Sequence, residues 1–216
     1  IGPNTVGLVN PLTKLVASFQ TTLQLSQPGG IGIATQSGGM CSYLNHALTN
    51  HGIGISKAIG MGNRCNLDFD DMVNYFARDE ETRVIVLYVE GLEQPRRLMA
   101  AAREVVRHKP ILLYKGGRSR ESSRATQSHT GALAGNSAIF DIALRQNGAI
   151  IAHNLEELID LSIGFTCPFL PQGNRLGVVG EAGGGGVAIA DSHQALGLAM
   201  SVLSESLQKE LVSTLK

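Results

Sequence analysis

The sequence carries few features of an exported, membrane-bound or nucleic-acid-binding protein. Its three cysteines form neither a CxxC pair nor a zinc-ligand pattern, which is typical of a protein in a reducing, cytoplasmic setting. No apolar run approaches the roughly 20 residues that a membrane-spanning helix needs, and no signal peptide is visible. The 18 basic residues balance the 18 acidic ones, so neither a nucleic acid nor a membrane is predicted as a partner.

Glycine, in contrast, is abundant. The 26 glycines among 216 residues lie well above the usual share of roughly 7%, which favours loops that approach a ligand closely. A hydrophobic content of 43% and this length predict one large globular domain plus part of another. The chain opens with Ile1 instead of Met and closes within a predicted helix, so we expect a piece of a longer protein.

Short apolar strands alternate with helices from residue 31 onward. The predicted strands are 31–35, 55–59, 84–89, 111–114 and a short one near 150. One predicted helix follows the first strand and ends near residue 50. The other predicted helices span 70–78, 95–107, 137–146 and 155–163. This alternation predicts an α/β fold with a doubly wound, flavodoxin-like parallel sheet. Such sheets bind ligands beyond the carboxyl ends of their strands, so the segments that follow the strands are the candidate sites.

The predicted organisation has two domains and two linkers. Residues 1–29 are predicted to form an irregular linker from an absent N-terminal domain, and residues 30–166 are predicted to form the flavodoxin-like domain. A second linker, 167–174, precedes the start of a second similar domain at 175–216, whose first strand is predicted at 176–179. The two domains share a sequence pattern, because residues 32–39 align with 177–184 at an offset of 145 (177 − 32).

Three segments at strand ends are candidate sites, and each has an ordinary alternative. Ser37, Gly38 and Gly39 open a helix and offer bare N–H groups to an anion, although a simple serine-capped turn is the more ordinary explanation. Glu90 ends a strand on the ligand face and could orient a histidine, or could be merely a solvated or capping residue. The polar segment 119–135 is longer than a usual βα connection and contains His129, which could be catalytic or merely solvated.

Taken together, the motifs and their order resemble those of the ADP-forming acetyl-CoA synthetases, in the wider nucleoside-diphosphate-forming group that includes the succinyl-CoA synthetase α subunit. The resemblance covers essentially the whole chain. The motifs are Gly2-Pro3-Asn4, Thr35-Gln36-Ser37-Gly38-Gly39, Tyr88-Val89-Glu90-Gly91, Tyr114-Lys115-Gly116-Gly117-Arg118, Ser128-His129-Thr130-Gly131-Ala132-Leu133-Ala134-Gly135 and Ala182-Gly183-Gly184-Gly185-Gly186-Val187.

The resemblance implies a reaction, cofactors and partners. Acyl-CoA, phosphate and ADP would interconvert with a small carboxylic acid, CoA and ATP through acyl-phosphate and phosphohistidine intermediates. CoA and ATP or ADP with Mg²⁺ would bind mainly outside this chain, in a CoA-binding domain and in an ATP-grasp domain or subunit. An oligomer is expected, this piece alone is expected to be inactive, and the chain itself carries no predicted metal site.

The resemblance also implies roles for individual residues. His129 would carry the phosphoryl group, and Glu90 would orient it. The residues implied to bind phosphate are Ser37, Gly38, Gly39, Thr130 and Gly131. Those implied to form a glycine loop in the second domain are Gly183, Gly184 and Gly185.

Two other functions stay open at this level. Some relatives are regulatory, CoA-sensing modules fused to lysine acetyltransferases that have lost the catalytic histidine and the ligase activity. The presence of His129 and Glu90 argues against that function here. A purely structural flavodoxin-like domain is the third possibility, and it leaves the long polar segment unexplained.

Overall fold

The computed structural model describes residues 1–119, 122, 137–169 and 171–214. The chain divides into two compact units, Ile1–Cys167 and Pro168–Lys216.

The first unit is built on a seven-stranded sheet. Its strands are β1 (Leu8–Asn10), β2 (Leu15–Ala17), β3 (Pro28–Thr35), β4 (Ile55–Gly60), β5 (Val84–Val89), β6 (Ile111–Lys115) and β7 (Ile150–Ala152). They lie in the order β2-β1-β4-β3-β5-β6-β7. The five strands from β4 to β7 in this order are parallel, whereas β1 runs antiparallel to both of its neighbours.

Helices of the first unit cover both faces of the sheet. They are α1 (Gly38–Asn50), α2 (Phe69–Arg78), α3 (Pro95–Val105), α4 (Ser137–Gln146) and α5 (Leu155–Thr166). Apolar side chains of α1 and α5 belong to one core cluster, and those of α2, α3 and α4 to the other. Strand β5 contributes alternate residues to the two clusters, as the two-residue period of a strand requires. Within the described residues, no helix has both the length and the apolar character to cross a membrane.

The parallel strands follow the flavodoxin-like order, so the predicted fold class is confirmed. Numbered along the chain from β3, the parallel strands are ordered 2-1-3-4-5. The order reverses between β3 and β5, which pair side by side with Thr35 opposite Tyr88. Ligands of doubly wound sheets bind in the crevice beyond the carboxyl ends of the strands at this reversal. The residues that follow Thr35 and Val89 therefore lie where this fold binds its ligands.

The prediction of an irregular segment over residues 1–29 is wrong. Strands β1 and β2 lie in this segment and extend the sheet, since β1 pairs with β4 and β2 pairs with β1, while β3 begins at Pro28. Three of its side chains, Val6, Val9 and Leu23, are buried in the core. These strands are three residues long and are held by pairing with a distant strand, so local sequence patterning gives little sign of them.

The second unit repeats the first βαβ element of the first unit. Strands β8 (Arg175–Leu176) and β9 (Ala199–Met200) are parallel and flank α6 (Gly183–His193), which α7 (Glu205–Thr214) follows. Helix α6 begins at Gly183 and α1 at Gly38, two positions that the sequence alignment pairs with each other. The predicted strand 176–179 is in fact confined to Arg175–Leu176, because its pairing with β9 extends over two residues only.

The repeat extends to the backbone hydrogen bonds that end the two helices. Gly52 and Gly197 follow α1 and α6 with positive φ angles of 72° and 68°. In each case the glycine N–H and the next N–H bond back to carbonyls three and five residues earlier, a Schellman motif that needs the left-handed conformation glycine adopts readily. This agreement in detail supports a genuine repeat over a chance likeness of two βα units.

Candidate functional site

Helix α1 begins directly at the carboxyl edge of β3. Ser37 caps it with an extended backbone, and its hydroxyl accepts a hydrogen bond from the Met40 amide at 3.4 Å. Gly38 and Gly39 form the first turn of the helix, and their amides have no hydrogen-bond acceptor among the described residues. The first N–H groups of a helix lack intrahelical partners and carry its partial positive charge. This end of α1 can therefore receive an anion.

The two glycines have different surroundings. A Cβ on Gly38 would lie 2.1 Å from Cγ1 of Val6, so the N-terminal segment packs tightly against the start of α1. A Cβ on Gly39 would meet its nearest neighbour, the Ser37 hydroxyl oxygen, only at 4.0 Å. Gly38 is thus required by packing, whereas Gly39 leaves open space beside the helix start.

Alanine at Gly38 should lower the stability of the fold, whereas alanine at Gly39 should weaken anion binding without a change in stability. Gly38→Ala overpacks the contact with Val6, and should destabilise the fold by about 1–3 kcal/mol. Gly39→Ala should leave stability unchanged within about 0.5 kcal/mol, because its methyl group meets no atom closely. That methyl group leans toward the helix N-terminus and should weaken the binding of an anion such as phosphate there by roughly tenfold. Denaturant unfolding and phosphate titration measure the two effects. Unchanged phosphate affinity in Gly39→Ala would contradict an anion site here.

Glu90 lies at the carboxyl end of β5, beside the start of α1. The two segments are joined by Gln36, which is 4% exposed. The Gln36 side-chain oxygen accepts hydrogen bonds from the amides of Glu90 and Gly91 at 3.0 and 3.1 Å. The backbone N–H of Gln36 in turn donates to the Tyr88 carbonyl at 3.0 Å. The structure therefore brings together two of the predicted site segments, which lie far apart in the chain.

Two further side chains hold Glu90, Lys115 of β6 and Tyr88 of β5. Lys115 is 2% exposed, and its ammonium donates to the Glu90 carbonyl at 2.6 Å and to the Gly116 carbonyl. Burial, together with the charge of Arg118, lowers the pKa of Lys115. The Tyr88 hydroxyl hydrogen-bonds to the Glu90 side chain, and burial followed by the charge of Glu90 raises the pKa of that tyrosine.

His129, Thr130 and Gly131 lie outside the described residues. Their predicted roles as phosphoryl carrier and phosphate ligands stay predictions. The described residues that flank this segment are joined, since the Arg118 guanidinium pairs with Asp141 at 2.7 Å and donates to the Ala152 carbonyl at 3.2 Å. The end of β6 and the start of α4 are therefore anchored to each other on the carboxyl side of the sheet.

Two other polar or nucleophilic side chains near the helix starts have structural roles. Asp68 caps α2 in a capping box with Asp71, and its carboxylate also pairs with Arg64, so its polarity is used within the fold. Cys41 lies in the first turns of α1, but burial raises the pKa of its thiol to about 12. A thiol that is protonated at neutral pH is a poor nucleophile.

The glycines of the second unit open a helix instead of forming a loop. Gly183, Gly184 and Gly185 are the first residues of α6, and Ala182 precedes them with no capping side chain. A Cβ on any of the three would meet no atom within 4 Å. Their alignment with Gly38 and Gly39 explains the arrangement, because each unit places glycine in the first turn of its helix.

Gln36, Lys115 and Tyr88 had no predicted role although all three lie within the motifs quoted above. One signal could have identified two of them. Gln36 and Lys115 are polar residues at the carboxyl ends of apolar strands, where a polar side chain is buried only if it has hydrogen-bond partners. Which partners they bond to depends on strand order, which the local sequence does not contain.

Comparison with known proteins decides the family. Residues 28–163 match the model of the family described as succinyl-CoA ligase like flavodoxin domain. The chain belongs to this family. The matched range is well over half of the sequence, and it includes β3 to β7 and every strand end discussed above.

Individual relatives extend the likeness over the whole chain. The α subunit of ADP-forming acetate–CoA ligase II from Pyrococcus furiosus is 38% identical over 100% of this chain and 46% of its own length. ADP-forming acetate–CoA ligase from Methanocaldococcus jannaschii is 34% identical over 100% of this chain and 30% of its own length. The chain thus spans less than half the length of these relatives.

A solved structure shows the same fold. Acetyl-coenzyme A synthetase 1 of Ca. Korarchaeum cryptofilum, in complex with phosphate and ADP, superimposes with a TM-score of 0.83. Its sequence is 33% identical, and the match covers 99% of this chain and 46% of the other.

Proposed function

We propose that this chain is the part of a nucleoside-diphosphate-forming acyl-CoA synthetase that carries the phosphoryl group between acyl phosphate and nucleotide. The full enzyme interconverts acyl-CoA, phosphate and ADP with a carboxylic acid, CoA and ATP. Relatives named ADP-forming acetate–CoA ligases, one an α subunit, support this assignment. Further support comes from the related synthetase structure, which binds phosphate and ADP.

One observation in the chain itself carries the proposal. At the strand-order reversal, the bare helix start at Gly38 and Gly39 lies beside the end of β5, where Glu90 is held by Gln36 and Lys115. A phosphohistidine needs N–H donors for the phosphoryl oxygens and a carboxylate that fixes the histidine tautomer. This edge of the sheet supplies both groups, and the segment with His129 begins four residues after Lys115.

The proposed chemistry uses these groups in sequence. Phosphate displaces CoA from the acyl-CoA, which gives acyl phosphate and releases the thiol. The neutral His129 ring nitrogen then attacks phosphorus, and the P–O bond to the acyl group breaks as the carboxylate leaves. The first turn of α1 stabilises the phosphoryl oxygens, while Glu90 accepts the other ring N–H and stabilises the developing imidazolium. Transfer of the phosphoryl group from His129 to ADP regenerates the neutral imidazole.

We place the main CoA and nucleotide sites in other components of the enzyme, the latter in an ATP-grasp domain or subunit. Mg²⁺ is implied with the nucleotide. In the described parts of the chain, no three His, Cys, Asp or Glu side chains form a group that could hold a metal ion.

Phosphate-dependent ATP synthesis tests the proposal. The full-length protein, assembled with its ATP-grasp component, should form ATP from ADP when acetyl-CoA or another acyl-CoA and phosphate are both supplied. One free CoA thiol should appear for each ATP. The 216-residue chain alone should show no turnover, since the other components are missing. Turnover by this chain purified alone, or an assembled protein that binds CoA but makes no ATP with any acyl-CoA, would contradict the proposal.

A further inference from the structure

The polypeptide at Glu90 is held more firmly than a strand end requires. Gln36 accepts from two successive amides, those of Glu90 and Gly91, with one side-chain oxygen. The backbone N–H of Gln36 also donates to the carbonyl of Tyr88, so this single residue bonds to the stretch Tyr88–Gly91 at three points, two of them through its side chain. Gln36 is also the residue between the end of β3 and the Ser37 cap of α1. Any shift of Glu90 relative to the start of α1 would break these bonds.

Lys115 completes the restraint from the opposite strand. Its ammonium donates to the Glu90 carbonyl at 2.6 Å, and the Phe140 ring centroid lies 5.8 Å from the same nitrogen. Both the amide and the carbonyl of Glu90 thus have buried side-chain partners, one that follows β3 and one from β6. A buried ammonium is costly, and burial already lowers the pKa of Lys115, so the fold keeps this group at a cost in stability.

We propose that Gln36 is a positioning residue, which fixes Glu90 at the distance from the first turn of α1 that phosphoryl transfer from acyl phosphate to His129 requires. This inference rests on the proposed function and adds a role that acts through Glu90. Gln36 spans the crevice at the strand-order reversal, where the phosphoryl group would lie between the two segments it joins. Displacement of a catalytic group by about 1 Å can cost on the order of 10²-fold in rate.

The two half-reactions separate this role from a merely structural one. Phosphorylation of His129 from acetyl-CoA and phosphate uses Glu90 and the start of α1. Phosphorylation of His129 from ATP uses the nucleotide site, which we place in another component. A loss of fold in the first unit slows both half-reactions, whereas misplacement of Glu90 slows the first selectively.

The test compares Gln36→Met and Gln36→Asn with Asn147→Leu in the assembled full-length enzyme. Methionine keeps the length of the side chain without its acceptor, and asparagine keeps a carboxamide that is one methylene shorter. Asn147, which directly follows α4, is a matched control. It is a carboxamide residue that is 8% exposed, and its side chain bonds to Arg103 and to the Ala143 carbonyl. Each variant is measured for unfolding midpoint and for the rate of His129 phosphorylation from each donor pair.

Both Gln36 variants should slow phosphorylation from acetyl-CoA and phosphate on the order of 10²-fold and change phosphorylation from ATP by less than about twofold. Asn147→Leu should change the two rates in parallel. Equal losses in both half-reactions that follow the unfolding midpoint, or rates like those of the unmodified enzyme, would overturn the inference. Absence of labelling from either donor in the unmodified enzyme would instead contradict the proposed function itself.

Discussion

Replacing His129 with alanine should abolish turnover of the assembled enzyme while leaving the fold intact. The phosphoryl group would have no acceptor between acyl phosphate and ADP, and neighbouring Ser128 is a poor substitute because an unactivated hydroxyl is a weak nucleophile. ATP formation from acetyl-CoA, phosphate and ADP should fall below detection, and the denaturant midpoint should stay within the error of the unmodified protein.

His108→Ala is the matched control for this variant. His108 is exposed and follows α3, away from the carboxyl edge of the sheet, so its loss should change turnover by less than about twofold. Substantial turnover in His129→Ala would show that His129 is not the phosphoryl carrier.

Glu90→Gln should slow the enzyme without stopping it. The amide oxygen can still accept the imidazole N–H, but it carries no charge to stabilise the imidazolium that develops during transfer. Groups that orient a catalytic histidine typically contribute on the order of 10²- to 10⁴-fold, and we expect a loss of kcat in that range. Single-turnover phosphorylation of His129 from acetyl-CoA and phosphate measures this step directly.

Glu93→Gln provides the control for Glu90→Gln, since Glu93 lies three residues further along the chain and is exposed. Its substitution should leave kcat within about twofold. A Glu90→Gln enzyme with the kcat of this control would show that Glu90 does not act on His129.

Patterns within short stretches of sequence sufficed for most of the fold. The alternation of apolar strands and helices predicted β3 to β7 and the helices between them. Strands β1 and β2 were missed because each is three residues long, and because β1 joins the sheet by pairing with β4, which follows it only after β3 and α1.

The candidate site divides in the same way. Glycines after β3 and a carboxylate after β5 are visible locally, so Gly38 and Glu90 could be predicted from their positions. The role of Gln36 was not predictable, because its partners Glu90 and Gly91 are distant in sequence and meet it only through the strand order. His129 was recognised from its motif and its long polar segment, and its position relative to Glu90 stays a prediction.

Locating the phosphate label on the chain shows whether His129 carries the phosphoryl group. The assembled enzyme would be incubated with radiolabelled ATP, or with acetyl-CoA and radiolabelled phosphate, then digested and mapped by mass spectrometry under alkaline conditions. We expect acid-labile, base-stable phosphate on the peptide with His129, from either donor. Acid-stable phosphate on Ser128, or full acid-labile labelling that persists in His129→Ala, would contradict it.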